Sequence, residues 1–238
     1  MLFNKISRFG VESFIKCPRC FYLKYKYKIE PKYIPFTLNI AVDKLFKNEF
    51  DYYRKKQQPH PIFIEHNLDA VPFHHEEIDN WRENFKGIKY YFEEFNFTLS
   101  GAVDDVWVRP DGELIIADYK STSKQDFDIK ERTKEHYFAS YVRQLEMYKW
   151  LFSMNGFKVS DKGYIVYVNG KANEKMFKNS LKFDHYLAEI DLDDSWVKDT
   201  TIEAMETLRA SKMPKYHNTC ETCNYLVARK ENYQKIYA

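Results

Sequence analysis

Apolar residues fall along this chain in two rhythms. Spacings of three and four residues mark helices, and short β-branched or aromatic runs bounded by turn residues mark strands. The helical rhythm opens at Ser7–Cys17, where Ile6, Phe9, Phe14 and Ile15 gather near one face. Its longest stretch runs from 35 to 56, with Ile40, Val42, Leu45, Phe46, Phe50 and Tyr53 on one stripe. A weaker pattern surrounds Trp81 between Glu76 and Phe85. Glu135–Asn155 predicts a second strong helix that buries Phe138, Tyr141, Val142, Leu145, Tyr148, Leu151 and Phe152 and stops at Gly156. Ser195–Ala210 predicts another, capped by Asp194 or Ser195. Strand-like runs lie at Ile88–Glu93, Asn96–Val108, Leu114–Ala117, Lys162–Asn169 and Phe183–Leu192, the first three forming a meander. Gln57–Pro72 and Ser121–Lys134 have no period and read as connections. His60, His66, His74 and His75 have no ligand or triad spacing and read as loop or surface residues. The interleaving of helices and strands predicts an α/β (α+β) protein, read as a single domain over residues 1–238.

The segment Gly101–Lys120 changes the picture, because its polar residues break the strand pattern in a particular way. Pro110-Asp111-Gly112 marks a tight turn between two apolar runs. With those three residues as the loop and Gly112 left-handed, Arg109 pairs with Glu113 and every antiparallel pair sums to 222. Asp104 then lies opposite Asp118, Lys120 shares the face of Asp118, and Asp105 points away. Opposed carboxylates repel, and a divalent cation between them removes the repulsion; the lysine adds an ammonium beside it. Gln144 and Tyr148 share a face of the following helix. Asp43 sits at the rim of the long amino-terminal helix, where an ion pair with Lys47 at i+4 is the ordinary structural reading.

Composition narrows the function classes. The 37 basic residues nearly balance the 35 acidic ones, so no global field announces a polyanionic partner, and local clusters must carry any such contact. Lys24, Lys26, Lys28 and Lys32 alternate with tyrosines, and Arg54-Lys55-Lys56 form a second knot. Arg143 adds a basic residue beside Gln144. No apolar run is long enough to span a membrane and no signal-peptide core is present, which makes a cytoplasmic protein the expectation. The chain's 4 cysteines form two CxxC pairs, Cys17/Cys20 and Cys220/Cys223, a spacing that suits one shared metal centre joining the chain ends. A thiol redox protein is the rival reading of those pairs. No GxxxxGK loop is present to supply an ATP-driven motor.

Gly101-x-x-Asp104, Asp118-x-Lys120 and Gln144-x-x-x-Tyr148, in this order between helices, resemble the PD-(D/E)XK nuclease superfamily and its RecB-like branch. The serine, Cys17-Pro18-Arg19 and the aromatics that follow are similar to the amino-terminal entry of RecB-like nucleases with a cysteine-bound cluster, including CRISPR-associated adaptation nucleases. The resemblance implies a restriction-endonuclease-like mixed central sheet flanked by helices and metal-dependent hydrolysis of DNA, with exonuclease favoured over endonuclease action. It implies a DNA partner that is single-stranded or has free ends, possible protein partners, and a setting in repair, recombination or CRISPR-type processing. Asp104 and Asp118, with the Tyr119 backbone carbonyl and Asp43, would hold Mg²⁺ or Mn²⁺. Lys120 would orient or deprotonate water, while Gln144 and Tyr148 would brace the site. Lys24, Lys26 and Arg143 are candidate nucleic-acid contacts.

Two features depart from the family pattern. The branch commonly has histidine where Asp43 aligns, so aspartate there gives an all-oxygen site and tilts preference toward Mg²⁺. The cysteines divide two and two, with Arg229 where a last cysteine is expected, so an iron-sulfur (4Fe-4S) cluster and Zn²⁺ both suit them. A catalytically silent nucleic-acid-binding or assembly protein of the same fold is the alternative from another class.

Overall fold

The computed structural model describes residues 3–32, 37–135 and 137–236. In chain order the elements are β1 (Lys5–Ser7), α1 (Arg8–Lys16), α2 (Pro18–Tyr27), α3 (Thr37–Lys56), α4 (Pro61–Glu65), β2 (Val71–Pro72), α5 (Ile78–Trp81), β3 (Ile88–Phe92), β4 (Phe97–Gly101) and β5 (Asp105–Val108). There follow β6 (Leu114–Thr122), α6 (Ile129–Arg132), α7 (Phe138–Met154), β7 (Lys162–Gly170), β8 (Phe183–Asp191), α8 (Val197–Arg209) and α9 (Glu221–Ile236). The predicted start of the long amino-terminal helix, residues 35 and 36, lies outside the described residues. Strands β1, β4 and β3 form a small sheet in that order, and β2-β5-β6-β7-β8 form a larger one. Two compact units result, one from Met1–Tyr33, Tyr91–Leu99 and Trp196–Ala238, the other from Ile34–Tyr90 and Ser100–Ser195.

The larger unit is built on the five-stranded sheet. β5 and β6 are antiparallel with Val106 opposite Ile116 and Val108 opposite Leu114, the predicted register. Gly112 takes a φ of 82°, and the Arg109 N–H donates to the Glu113 carbonyl at 2.9 Å, closing the three-residue turn. β6 and β7 are parallel and are joined through α7, the right length for a crossover. β8 returns antiparallel to β7.

Alternation along β6 sends its two faces to different layers. Ile115, Ala117 and Tyr119 share a buried cluster with Phe50 of α3, Ile62 and Phe63 of α4, and Trp107. On the other face Leu145 of α7 comes close to Gly163, where an added Cβ would stand 3.4 Å from the leucine side chain. A strand covered on both sides reads as a continuous buried run, and Leu114 to Tyr119 are all buried.

Three expectations about this unit need correction. The strands from 88 to 108 are not one meander, because β4 belongs to the small sheet and β5 to the large one. The ladder breaks where the Val103 N–H turns to the Trp81 carbonyl at 3.1 Å and where the Asp104 side chain, not its backbone, meets Tyr119. The segment 57–72 carries structure of its own: His60 accepts the Ile62 N–H at its ring nitrogen, Pro61 opens α4, and the buried imidazole stacks on Phe50 at 4.1 Å. His60 is therefore no surface histidine. Along α3 only the later part of the predicted stripe is covered: Phe50 is buried and Phe46 packs against the core, but Ile40 and Leu45 are exposed.

The smaller unit is mainly helical. Ser7 caps α1 by accepting the Gly10 N–H at 3.1 Å, and Pro18 occupies the first turn of α2, where its missing N–H costs nothing. Phe14 and Phe21 meet edge to face at 5.5 Å, and the Tyr22 hydroxyl donates to the Ala210 carbonyl at the end of α8. The predicted cap of α8 is shifted, for Trp196 holds that position with no side-chain bond. Asp194 is occupied instead by Lys149 at 2.9 Å, and the Ser195 N–H is taken by Asp193. Among the described residues no helix is long and apolar enough to cross a membrane.

Candidate active site

The site grows out of the break before β5. Asp104, free of the ladder, accepts the Tyr119 N–H at 3.2 Å through one oxygen and the Lys47 ammonium at 3.3 Å through the other. Asp118, two residues before Lys120 on β6, is fully buried. Its Oδ1 accepts the Gln144 amide at 2.6 Å from α7. Its Oδ2 touches the Lys120 ammonium yet receives no well-aligned hydrogen bond. The Lys120 ammonium also lies 4.8 Å from the centre of the Tyr141 ring.

Charge in this cluster is unevenly shared. Burial, joined by the neighbouring Asp104, pushes the Asp118 carboxyl up to about 7 against the pull of Lys120. Burial also opposes ionisation of Asp104, but the ammoniums of Lys120 and Lys47, a hydrogen bond from Asp118 and the Tyr119 N–H outweigh it and hold that carboxyl below the ordinary range. The two aspartates thus behave as one acid pair, with the proton favoured on Asp118. Burial works against the charged form of Lys120, yet Asp118 and Asp104 raise it, so the side chain is an ammonium. Such an arrangement of buried, incompletely bonded carboxylate oxygens suits a cation: all the donors are hard oxygens, and a positive charge would displace the shared proton.

Asp43 reaches this cluster through a lysine. Lys47 bonds Asp43 at 2.9 Å as well as Asp104, and burial together with Asp104 pushes the Asp43 carboxyl up. Among the described residues, three carboxylates do not gather within ligating distance of one another. The ordinary i+4 ion pair is present, and the same lysine also links Asp43 to the hairpin. The first bond follows from i+4 spacing, whereas the second joins residues 57 positions apart. Tyr148 donates to the Ala102 carbonyl and stands 3.5 Å from the Gln144 amide. Gly101 is needed beside it, because a Cβ there would come within 2.7 Å of the Tyr148 ring.

Beneath the site, and unforeseen from the sequence, lies an ionic network. Asp105 accepts Arg54 at 2.5 Å, its neighbour's N–H at 2.8 Å and the Tyr119 hydroxyl at 2.6 Å. Arg54 is also bound to Asp51 at 3.0 Å and the Phe73 carbonyl at 2.6 Å, and Arg82 holds Asp51 at 2.6 Å. Arg54 is buried, so it does not belong to an exposed basic knot with Lys55 and Lys56. The signal was the single arginine among lysines, for a planar guanidinium suits buried multiple bonding better than an ammonium does.

The basic candidates fall elsewhere. Lys24 pairs with Glu30 at 2.5 Å and lies over Phe9, and Lys26 donates to the Ala210 carbonyl and the Tyr22 hydroxyl; both belong to the smaller unit. Arg143 is half-buried on α7, next to Gln144.

In the smaller unit the four cysteines come together. Cys17 sits between α1 and α2, Cys20 in the first turn of α2, and Cys220 and Cys223 at the start of α9. All four sulfurs lie within 4.8 Å of one another and are free thiols, positioned to hold a metal.

No curated protein matches the chain at a significant level. The chain is similar in structure to the crystal structure of SSO0001, with 18% identity over 94% of this chain and 85% of that one and a TM-score of 0.44. It is also similar to a phage-related exonuclease from Haemophilus somnus 129PT, with 12% identity, 81% and 78% of the two chains covered and a TM-score of 0.39. The family model of the PD-(D/E)XK nuclease superfamily matches residues 37–228, a span that contains the hairpin and both helices that meet it. The chain belongs to the PD-(D/E)XK nuclease superfamily.

Proposed function

We propose that this protein is a metal-dependent DNA nuclease of the RecB-like branch, acting in the cytoplasm on DNA that is single-stranded or has free ends. An exonuclease role in repair, recombination or CRISPR-type processing, with protein partners, fits that reading. The observation that carries it is the pair of carboxylates, Asp104 and Asp118, in mutual contact with the Lys120 ammonium beside them. A fold that needed only stability would not keep a buried aspartate with an ill-bonded oxygen against a second carboxylate.

Asp104 and Asp118, with the Tyr119 carbonyl, would hold Mg²⁺ or Mn²⁺, and Asp43 is tied to them through Lys47. Bound there, the ion supplies positive charge to the phosphate oxygens as negative charge grows on them in the transition state. Gln144 fixes Asp118 through Oδ1 and leaves Oδ2 to the interior of the site. Tyr148 holds the Ala102 carbonyl and so fixes the backbone just before Asp104. Lys120, charged, orients the attacking water or a phosphate oxygen by donating hydrogen bonds rather than by taking a proton. Arg143, Lys24 and Lys26 are proposed contacts to the nucleic-acid backbone.

The test is cleavage of end-labelled single- and double-stranded DNA with Mg²⁺, with Mn²⁺ and with excess chelator. Products that appear only with a divalent ion, and shorten progressively from an end, are expected. DNA binding without cleavage under all three conditions would support the silent binding protein instead.

A further inference from the structure

We propose that Cys17, Cys20, Cys220 and Cys223 bind one zinc ion in a closed tetrathiolate site rather than an iron-sulfur cluster. The thiol cluster has the size of a site for one ion. Cys17 and Cys223 sulfurs are 3.9 Å apart, Cys20 and Cys220 3.6 Å, and Cys20 and Cys223 3.5 Å. With a zinc–sulfur bond of about 2.3 Å, the edge of a regular tetrahedron is about 3.8 Å. The three separations sit around that value. A cubane cluster requires each thiolate to bind a different iron with inorganic sulfides between the irons, which spreads the cysteine sulfurs far beyond mutual contact. Four sulfurs all within 4.8 Å of one another enclose room for a single ion and not for eight atoms.

The local backbone supports the same assignment. Each CxxC pair lies at the start of a helix, α2 or α9, the end that carries unsatisfied N–H groups and the positive pole of the helix dipole. The N–H groups of Cys20 and His217 donate to the Cys17 sulfur. Four thiolates around a divalent ion carry a net charge of two minus, and such donors spread it. His217, the nitrogen donor nearest in sequence, is engaged at Nδ1 with the Lys16 carbonyl at 3.1 Å. Four protein ligands leave no open coordination position, so the ion's role is structural: it ties α2 to residues about 200 positions later in the chain.

The experiment is elemental analysis of the intact protein purified without chelator, together with its visible spectrum and acid-labile sulfide. One zinc per chain, no sulfide and no brown colour are expected, with the zinc released stoichiometrically when a mercurial reagent titrates the thiols. Removal of the zinc should lower the melting temperature by about 10 °C or more. Iron accompanied by acid-labile sulfide, or two disulfides with no metal, overturns the proposal. Asp104→Ala must retain the zinc, whereas Cys220→Ser must lose it. If the cysteine variant does not fold, cobalt substitution of the wild-type chain decides: intense visible bands of tetrahedral thiolate-bound cobalt are expected, and weak octahedral bands contradict it. None of these readouts depends on DNA cleavage, so the nuclease reading and this one fail separately.

Discussion

The two faces of the β5–β6 hairpin carry the same kinds of residue to opposite ends. On the face toward α3, Asp105 meets Arg54 and the Tyr119 hydroxyl, and both its oxygens are satisfied. Burial and the adjacent Asp105 drive the Tyr119 hydroxyl far above its ordinary range, so it serves only as a donor. On the face toward α7, Asp118 meets another carboxylate, and one oxygen lacks a well-aligned partner. Neighbouring aspartates, Asp104 and Asp105, thus belong to different projects. The saturated network fixes the hairpin's position, and the unsaturated one holds electrostatic tension that a cation and a phosphate would relieve.

The sharpest way to break this contrast is to remove a carboxylate from the open face. Asp104→Ala should reduce metal-dependent DNA cleavage by about a thousandfold, with a melting temperature close to wild type. A cleavage rate within a few fold of wild type would remove Asp104 from the site. The closed face should respond in the opposite currency. Arg54→Met leaves Asp105 buried without its cation and should destabilise the protein by about 3–5 kcal/mol in denaturant unfolding. A loss below about 1 kcal/mol would show that the network is dispensable.

The pH dependence of the metal-free protein separates the faces again. Asp118 titrates near 7 in the fold, above its ordinary value of 3.8, so its contribution to stability is fully present below the ordinary value and lost as the pH rises through 7. The contribution of Asp118 to stability should therefore fall between pH 4 and 8, by at most roughly 4 kcal/mol, and Asp118→Asn should remove that part of the slope. Asp104 has the opposite sign, but its lowered value places its effect below that window. An unchanged slope in the variant would refute the assignment. The smallest effect is expected at Tyr148→Phe, which removes the hydroxyl that binds the Ala102 carbonyl: about 1 kcal/mol of stability and a cleavage loss of about tenfold, with metal affinity unchanged by titration.

Much of this was legible in local pattern. The loop Pro110 to Gly112 determined the register, and the pairing of Asp105 with Ala117 follows from it by counting. Most of the stripe of α7, the strands β7 and β8, and the meeting of two CxxC pairs were equally readable, because each depends on nearby spacing or on complete use of one residue type; Tyr141 and Val142 of that stripe are only half-buried. What could not be read depends on partners distant in sequence. Val103 leaves the ladder for Trp81, which splits the expected meander between two sheets. His60 looked like a loop residue until Phe50 stacked on it, and Arg54 looked like part of a basic surface until Asp105 received it. Lys47 was visible as the partner of Asp43, but its bond to Asp104 crosses 57 positions.

The central claim is that the open face is chemistry and the closed face is structure, and Lys120→Met tests it most directly. Its DNA cleavage rate with saturating Mg²⁺ should fall by about a thousandfold while its melting temperature stays within a few degrees of wild type. Cleavage at the wild-type rate, or a rate lost only in proportion to unfolded protein, would contradict it.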